Sequence, residues 1–185
     1  MATATTEALL LVDIQNDFCE GGSLAVPGSD RIFPTVNAEI ARARQNGELI
    51  IASRDWHPVD HCSFQDQGGP WPVHCVQDTP GAAFHASMPL PDDAVRVSKG
   101  TAFDEDNYSA FDGTGLAGFL ERRGITQLRV LGLALDVCVA ATVRDALKHG
   151  FAVVLPREGT RAVKEEDSEA VFSELAALGA KVIPA

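Results

Sequence analysis

Basic residues are scarce in this chain of 185 residues: fifteen Lys and Arg stand against twenty-six Asp and Glu, a net charge of −11. A surface of that sign repels phosphate backbones and anionic membrane surfaces, so no nucleic-acid partner and no membrane partner is expected. Long apolar runs are missing too. The opening stretch MATATTEALLLVDIQ has no basic n-region and only a short apolar run, and nothing further along could span a bilayer. A soluble, cytoplasmic protein is the expectation. Paired C-x-x-C spacing is absent among Cys19, Cys62, Cys75 and Cys138, which argues against a zinc ribbon or a disulfide framework and leaves reduced thiols as the default. No internal repeat or low-complexity segment occurs. With 45% apolar residues, a chain of this length can bury one substantial core, and one domain over residues 1–185 is expected.

What is present is an alternation of strands and helices. Ala8 to Val12 is a continuous apolar run followed at once by Asp13 and a turn-rich segment, Cys19 to Ser23. Pro34 to Asn46 places Val36, Ile40 and Ala43 on one helical face and stops at Asn46-Gly47. Further strands are expected at Leu49 to Ser53, Ala94 to Ser98, Leu128 to Leu133, Ala152 to Leu155 and Val182-Ile183, and further helices at Leu116 to Arg123, Cys138 to His149 and Lys164 to Leu178. This order implies a three-layer α/β/α architecture around a mainly parallel, six-stranded, Rossmann-like sheet. Between Arg54 and Leu90 the sequence is rich in Pro, Gly, His and Asp without a sustained period. A loop of that length in a compact domain is functional or disordered, and its two Trp and several His argue for order.

One motif is a decoy. Gly113 to Gly118 fits G-x-G-x-x-G, with Asp136 about 20 residues downstream. The fingerprint needs a strand directly before its first glycine, and Thr101 to Asp112 is acidic, polar and aperiodic.

The chemistry-bearing residues fall at strand ends. In parallel α/β sheets ligands bind beyond the carboxyl ends of the strands, and those ends carry Asp13, Asp55 with His57, Lys99 and Cys138. Taken alone, Cys138 reads first as a small buried hydrophobe, and the others as ordinary strand or turn termini. Brought to one edge, a carboxylate, an amine and a thiol supply the parts of nucleophilic catalysis: Asp13 to move a proton, Lys99 to hold Asp13 ionised and stabilise a thiolate, Cys138 to attack. A position in the first helical turn also favours a thiolate. Asp55-x-His57 followed by His74, with His61 within reach, has the donors of a divalent metal site suited to zinc, iron or manganese, although a surface loop with scattered histidines has the same spacing. Phe18 and Trp71 lie in the adjoining loops, where a flat aromatic substrate could stack.

At these residues the chain closely resembles the nicotinamidase/pyrazinamidase branch of the cysteine hydrolases with the isochorismatase-like fold. The likeness runs through VDIQNDFCEGGSLAVPG (Val12 to Gly28), RDWHPVDHCSF (Arg54 to Phe64), WPVHCVQDTPGAAFH (Trp71 to His85), SKGT (Ser98 to Thr101) and LGLALDVCV (Leu131 to Val139). The resemblance implies a catalytic triad of Asp13, Lys99 and Cys138, and metal ligands Asp55, His57 and His74, with His61 matching a position that ligates in some relatives. It implies pocket walls Phe18, Trp71 and Tyr108, a cis peptide at Leu133-Ala134, and an oxyanion hole from the backbone N–H groups of Ala134 and Cys138. The implied reaction is hydrolysis of nicotinamide, and of pyrazinamide, to the acid and ammonia through a thioester, within NAD salvage. The implied cofactor is one divalent metal ion, zinc ahead of iron or manganese; the implied partner is the small molecule nicotinamide, with a homo-oligomer left open. The chain departs from the family in carrying Leu135 where Thr is usual, which removes a hydroxyl beside the oxyanion turn. Two alternatives stand beside this one. Amidases of the same superfamily act on carbamoyl or ureido compounds, but lack the Asp-x-His plus His set. A non-catalytic metal- or nucleotide-binding α/β module would use Gly113 to Gly118 as its glycine loop.

Overall fold

The computed structural model describes residues 6–184; the outermost parts of the expected domain, residues 1–5 and 185, lie outside the described residues. Strand β1 (Glu7–Val12) is the centre of the sheet. Its unbroken apolar run follows from burial on both faces: Ala8, Leu10 and Val12 enter one core, Leu9 and Leu11 the other. On one side β1 pairs in parallel with β2 (Leu49–Asp55), which pairs with β3 (Val95–Lys99); on the other it pairs with β4 (Gln127–Leu133), followed by β5 (Ala152–Pro156) and β7 (Lys181–Ile183). The sheet has seven strands where six are expected. The addition, β6 (Thr160–Arg161), pairs with Gly132 and Leu133 at the end of β4. With two residues it carries no hydrophobic period, so nothing in its sequence announces it.

Helix α1 (Phe33–Gln45) covers one face through Val36, Ile40 and Ala43. It begins with Pro34, whose missing N–H costs nothing in a first turn, and ends where Gly47 takes φ +66°. The other face is covered by α2 (Leu116–Arg122), α3 (Ala140–Lys148) and α4 (Ser168–Ala177). The α4 segment opens with a 3-10 turn (Glu165–Asp167), so the regular helix starts later than its sequence period suggests. The Gly113 to Gly118 segment is the turn into α2 and follows no strand, since β3 ends at Lys99. Among the described residues no helix is long and apolar enough to cross a membrane.

Two glycines set close approaches. A Cβ on Gly132 would lie 2.1 Å from the Val12 carbonyl oxygen, so glycine is what lets β4 press against β1 beside the site. A Cβ on Gly100, at φ +64°, would lie 2.4 Å from Cε1 of His57.

Candidate active site

The parallel registers bring four chain segments to one edge. Val12 pairs with Ser53 and Gly132, and Asp55 pairs with Lys99; one residue further along the first strand, Asp13 turns into the left-handed region at φ 50°. Beyond β4 the chain passes a cis Leu133-Ala134 peptide, as expected, and enters a π-helical turn (Leu135–Val139) that carries Cys138. The regular helix begins only at Ala140, two residues after the position expected from the sequence.

Lys99 is the hub of what converges there. Its side chain is fully buried, with Nζ 2.7 Å from Asp13 Oδ2, 2.6 Å from Asp55 Oδ1 and 3.5 Å from Cys138 Sγ. Burial opposes the charge, yet the two carboxylates raise the Lys99 pKa well above its ordinary value. For Asp55 burial would favour the neutral acid, but Lys99 and the His57 and His74 imidazoles hold it well below the usual carboxylate range. Asp13 goes the other way: burial, aided by the Asp55 charge, raises its pKa despite Lys99. Ser53 Oγ donates to Asp13 Oδ1 at 2.8 Å, and the Lys99 ammonium faces Oδ2. Cys138 also rises well above the ordinary thiol value, because burial outweighs the neighbouring ammonium. The turn alone therefore does not make a thiolate at rest, contrary to the expectation from its helical position; the sulfur is a thiol beside a carboxylate of raised proton affinity.

On its other side Asp55 faces the histidines. Asp55 Oδ2 is 3.4 Å from His57 Nε2 and 3.6 Å from His74 Nε2. The Nδ1 atoms sit 2.7 Å from the carbonyl oxygens of Gly100 and Pro72 respectively. A carbonyl only accepts, so each Nδ1 carries a proton and each ring turns its Nε2 toward the same carboxylate oxygen. Two imidazole nitrogens and a carboxylate oxygen aimed at one point are donors that a cation could take. The three ligand atoms lie within 4.8 Å of one another and are buried, a donor set that fits a divalent metal and leaves positions for water or substrate. His61 does not join them. Its Nε2–H donates to Glu105 O at 2.8 Å, its Nδ1 accepts from Ser63 Oγ and N–H, and its ring stacks on His57 at 4.1 Å; no lone pair remains for a metal.

A mostly apolar cavity opens over Cys138, walled by Phe18, Trp71, Tyr108, Ala134, Val137 and Val163. All three expected wall residues line it. Trp71 Nε1 donates to Tyr108 Oη at 3.1 Å, with Tyr108 37% exposed at the rim. Leu135 points away into the hydrophobic core, 1% exposed, so the missing hydroxyl is replaced by packing.

Several positioning residues escape sequence reasoning. Buried Gln15 accepts the Asp55 N–H at 2.9 Å and donates to the Asp55 carbonyl at 2.8 Å, clamping that residue by its backbone. Asp17 accepts the Cys75 N–H at 2.8 Å next to His74, and Asn107 Oδ1 accepts the Gly100 N–H at 3.1 Å beside His57. A polar residue just past a strand reads as turn chemistry, and only its being buried reveals the clamp.

The Isochorismatase domain family matches residues 7–185. The chain is 41% identical to a nicotinamidase of Escherichia coli (strain K12) over 196 aligned residues, covering 94% of this chain and 92% of that protein. Among solved structures it is similar to the pyrazinamidase of Pyrococcus horikoshii in complex with zinc, at 48% identity and a TM-score of 0.94, covering 97% of this chain and 99% of the other. It is also similar to PnC1 from L. infantum in complex with nicotinate, at 39% identity and a TM-score of 0.89, over 98% and 93% of the two chains.

Proposed function

The chain belongs to the isochorismatase domain family, and from that premise we propose that it is a nicotinamidase, an amidohydrolase converting nicotinamide, and pyrazinamide by the same chemistry, to the carboxylate and ammonia. The observation that carries this reading is the meeting of Asp13, Asp55 and Cys138 on one buried ammonium beneath an aromatic-walled cavity. NAD salvage is the setting in which such a reaction supplies nicotinate.

In the proposed reaction the planar substrate lies between Phe18 and Trp71. Cys138 gives its S–H proton to Asp13 as the sulfur adds to the carboxamide carbon. The backbone N–H groups of Ala134 and Cys138 receive the developing oxyanion; one such donor is typically worth about 3 to 4 kcal/mol in the transition state. Asp13 passes the proton to the amide nitrogen, the C–N bond breaks, and ammonia leaves a thioester. Water then gives a proton to Asp13 and adds to the thioester carbon; collapse expels the thiolate, which recovers that proton, and nicotinic acid departs and ionises to nicotinate in water. Lys99 stays protonated throughout, moderating the charges that pass between carboxylate and sulfur. A divalent metal held by Asp55, His57 and His74, with zinc favoured by the donor set and by the zinc complex of the Pyrococcus relative, would supply a Lewis-acid anchor for the ring nitrogen.

The deciding experiment measures ammonia and nicotinate released from nicotinamide by the purified protein, before and after chelation and with metal restored. Turnover lost on chelation and recovered with a divalent metal is expected. In Cys138→Ala, turnover should fall by about 10⁴-fold or more while bound metal stays stoichiometric. No turnover in the metal-loaded protein would point to another amide; substantial turnover in the alanine variant would remove Cys138 as nucleophile.

A further inference from the structure

Asp136 is the acid downstream of the glycine decoy, and the proposed chemistry gives it no task. It lies in the Leu135–Val139 turn, two residues before Cys138. Its Oδ1 accepts the Val163 N–H at 2.8 Å and its Oδ2 accepts the Lys164 N–H at 3.1 Å. A carboxylate that engages two consecutive amides fixes the orientation of that backbone as well as its distance. The segment it holds, 162–164, connects β6 to the 3-10 turn before α4. Ala162 is buried, but Val163 is 36% exposed, so its own packing restrains it weakly. Val163 nevertheless lines the reaction cavity together with Val137 and Cys138 of the turn that carries Asp136.

We infer that Asp136 is a positioning residue for substrate selection: by latching the Val163 segment to the nucleophile turn, it fixes one cavity wall and so sets the size of aromatic amide that reaches Cys138. The substrate class rests on the amidase reading; the latch does not. Latch and sulfur belong to one turn, so the spacing from the Val163 wall to the sulfur is set by two hydrogen bonds. A released Val163 leaves Cys138 in place and opens the cavity at the rim. Binding of a small ring weakens, and a fused bicyclic ring gains room.

Two measurements on the full chain test this. Amide hydrogen exchange in the wild type and in Asp136→Ala reads the latch without any substrate. Faster exchange at Val163 and Lys164, with β4 and α3 unchanged, is expected; unchanged protection at those two amides overturns the inference. Asp136→Asn keeps one acceptor oxygen and should fall between the two, which keeps the test decisive if the alanine variant does not fold. Steady-state kinetics with nicotinamide and quinoline-3-carboxamide then read selection. Asp136→Ala should raise KM for nicotinamide about 5- to 20-fold with kcat within about 2-fold, and shift preference toward the bicyclic amide. Val163→Ala should shift preference the same way, and the double variant should be no worse than the more severe single variant, because both act through one wall. Additive effects, or a fall in kcat at unchanged KM, overturn the inference. If the wild type does not hydrolyse nicotinamide the amidase reading fails, and hydrogen exchange still decides the latch.

Discussion

An ammonium with no exposed surface must be matched by charge, and Lys99 is matched twice, by Asp13 and Asp55. Lys99→Met keeps the volume and leaves two carboxylates facing each other in the core. Removing one member of a buried ion pair costs about 3 to 5 kcal/mol, so a large drop in melting temperature should accompany loss of turnover, and an unchanged melt would mean that the carboxylates do not depend on it. Gly100→Ala tests the same neighbourhood from the metal side. The added methyl meets the His57 ring at a positive φ that L residues resist, so the ring must move. Metal content after dialysis should fall, whereas full metal retention would show that the ring yields without losing its ligand. Asp13 sets the acid limit: its raised pKa means that the proton-accepting form disappears above the usual carboxylate range as pH falls, and kcat/KM should decline on that side earlier than an ordinary aspartate would dictate.

At the scale of elements, the strand ends were legible because an apolar run stopping at a charged residue is a local signal, and parallel topology carries those stops to one edge. Asp13, Asp55, Lys99 and Cys138 could all be found that way. The clamps formed by Gln15, Asp17 and Asn107 could not, since each joins a residue to backbone far along the chain. The π-helical form of the Cys138 turn and the two-residue β6 were equally hidden, being shorter than any period. The resemblance located His61 near the metal set, but only its hydrogen bonds show that both ring nitrogens are engaged. Gly132 is a case where the sequence shows a residue and the structure supplies the reason. Gly132→Ala would drive a methyl into the Val12 carbonyl, separating the two central strands. Expression should yield mostly insoluble chain, and a soluble variant with wild-type melting would show that β1 and β4 can part without penalty.

For the molecule as a whole, buried thiols set the alkaline boundary. Burial pushes Cys19 up to about 11 and Cys75 further in the same direction, while an unfolded thiol titrates near its ordinary value of 9.0. Between about pH 9 and 11 the unfolded chain therefore binds fewer protons than the folded one, so stability falls as pH rises. Melting temperature should decline across that window, and Cys19→Ala should flatten the decline; an equal slope in the variant would place the titration elsewhere. The other long-range consequence lies in Asp55, whose two oxygens face opposite ways, Oδ1 to Lys99 and Oδ2 to the histidines. That carboxylate is a wire between a ligand sphere and a sulfur atom that share no contact. A cation arriving at Oδ2 draws electron density from Oδ1, makes the surroundings of Lys99 and Cys138 more positive, and favours the thiolate. The rate at which iodoacetamide modifies Cys138 should therefore rise with metal occupancy, turning a sulfur reagent into a gauge of how full a neighbouring ion site is.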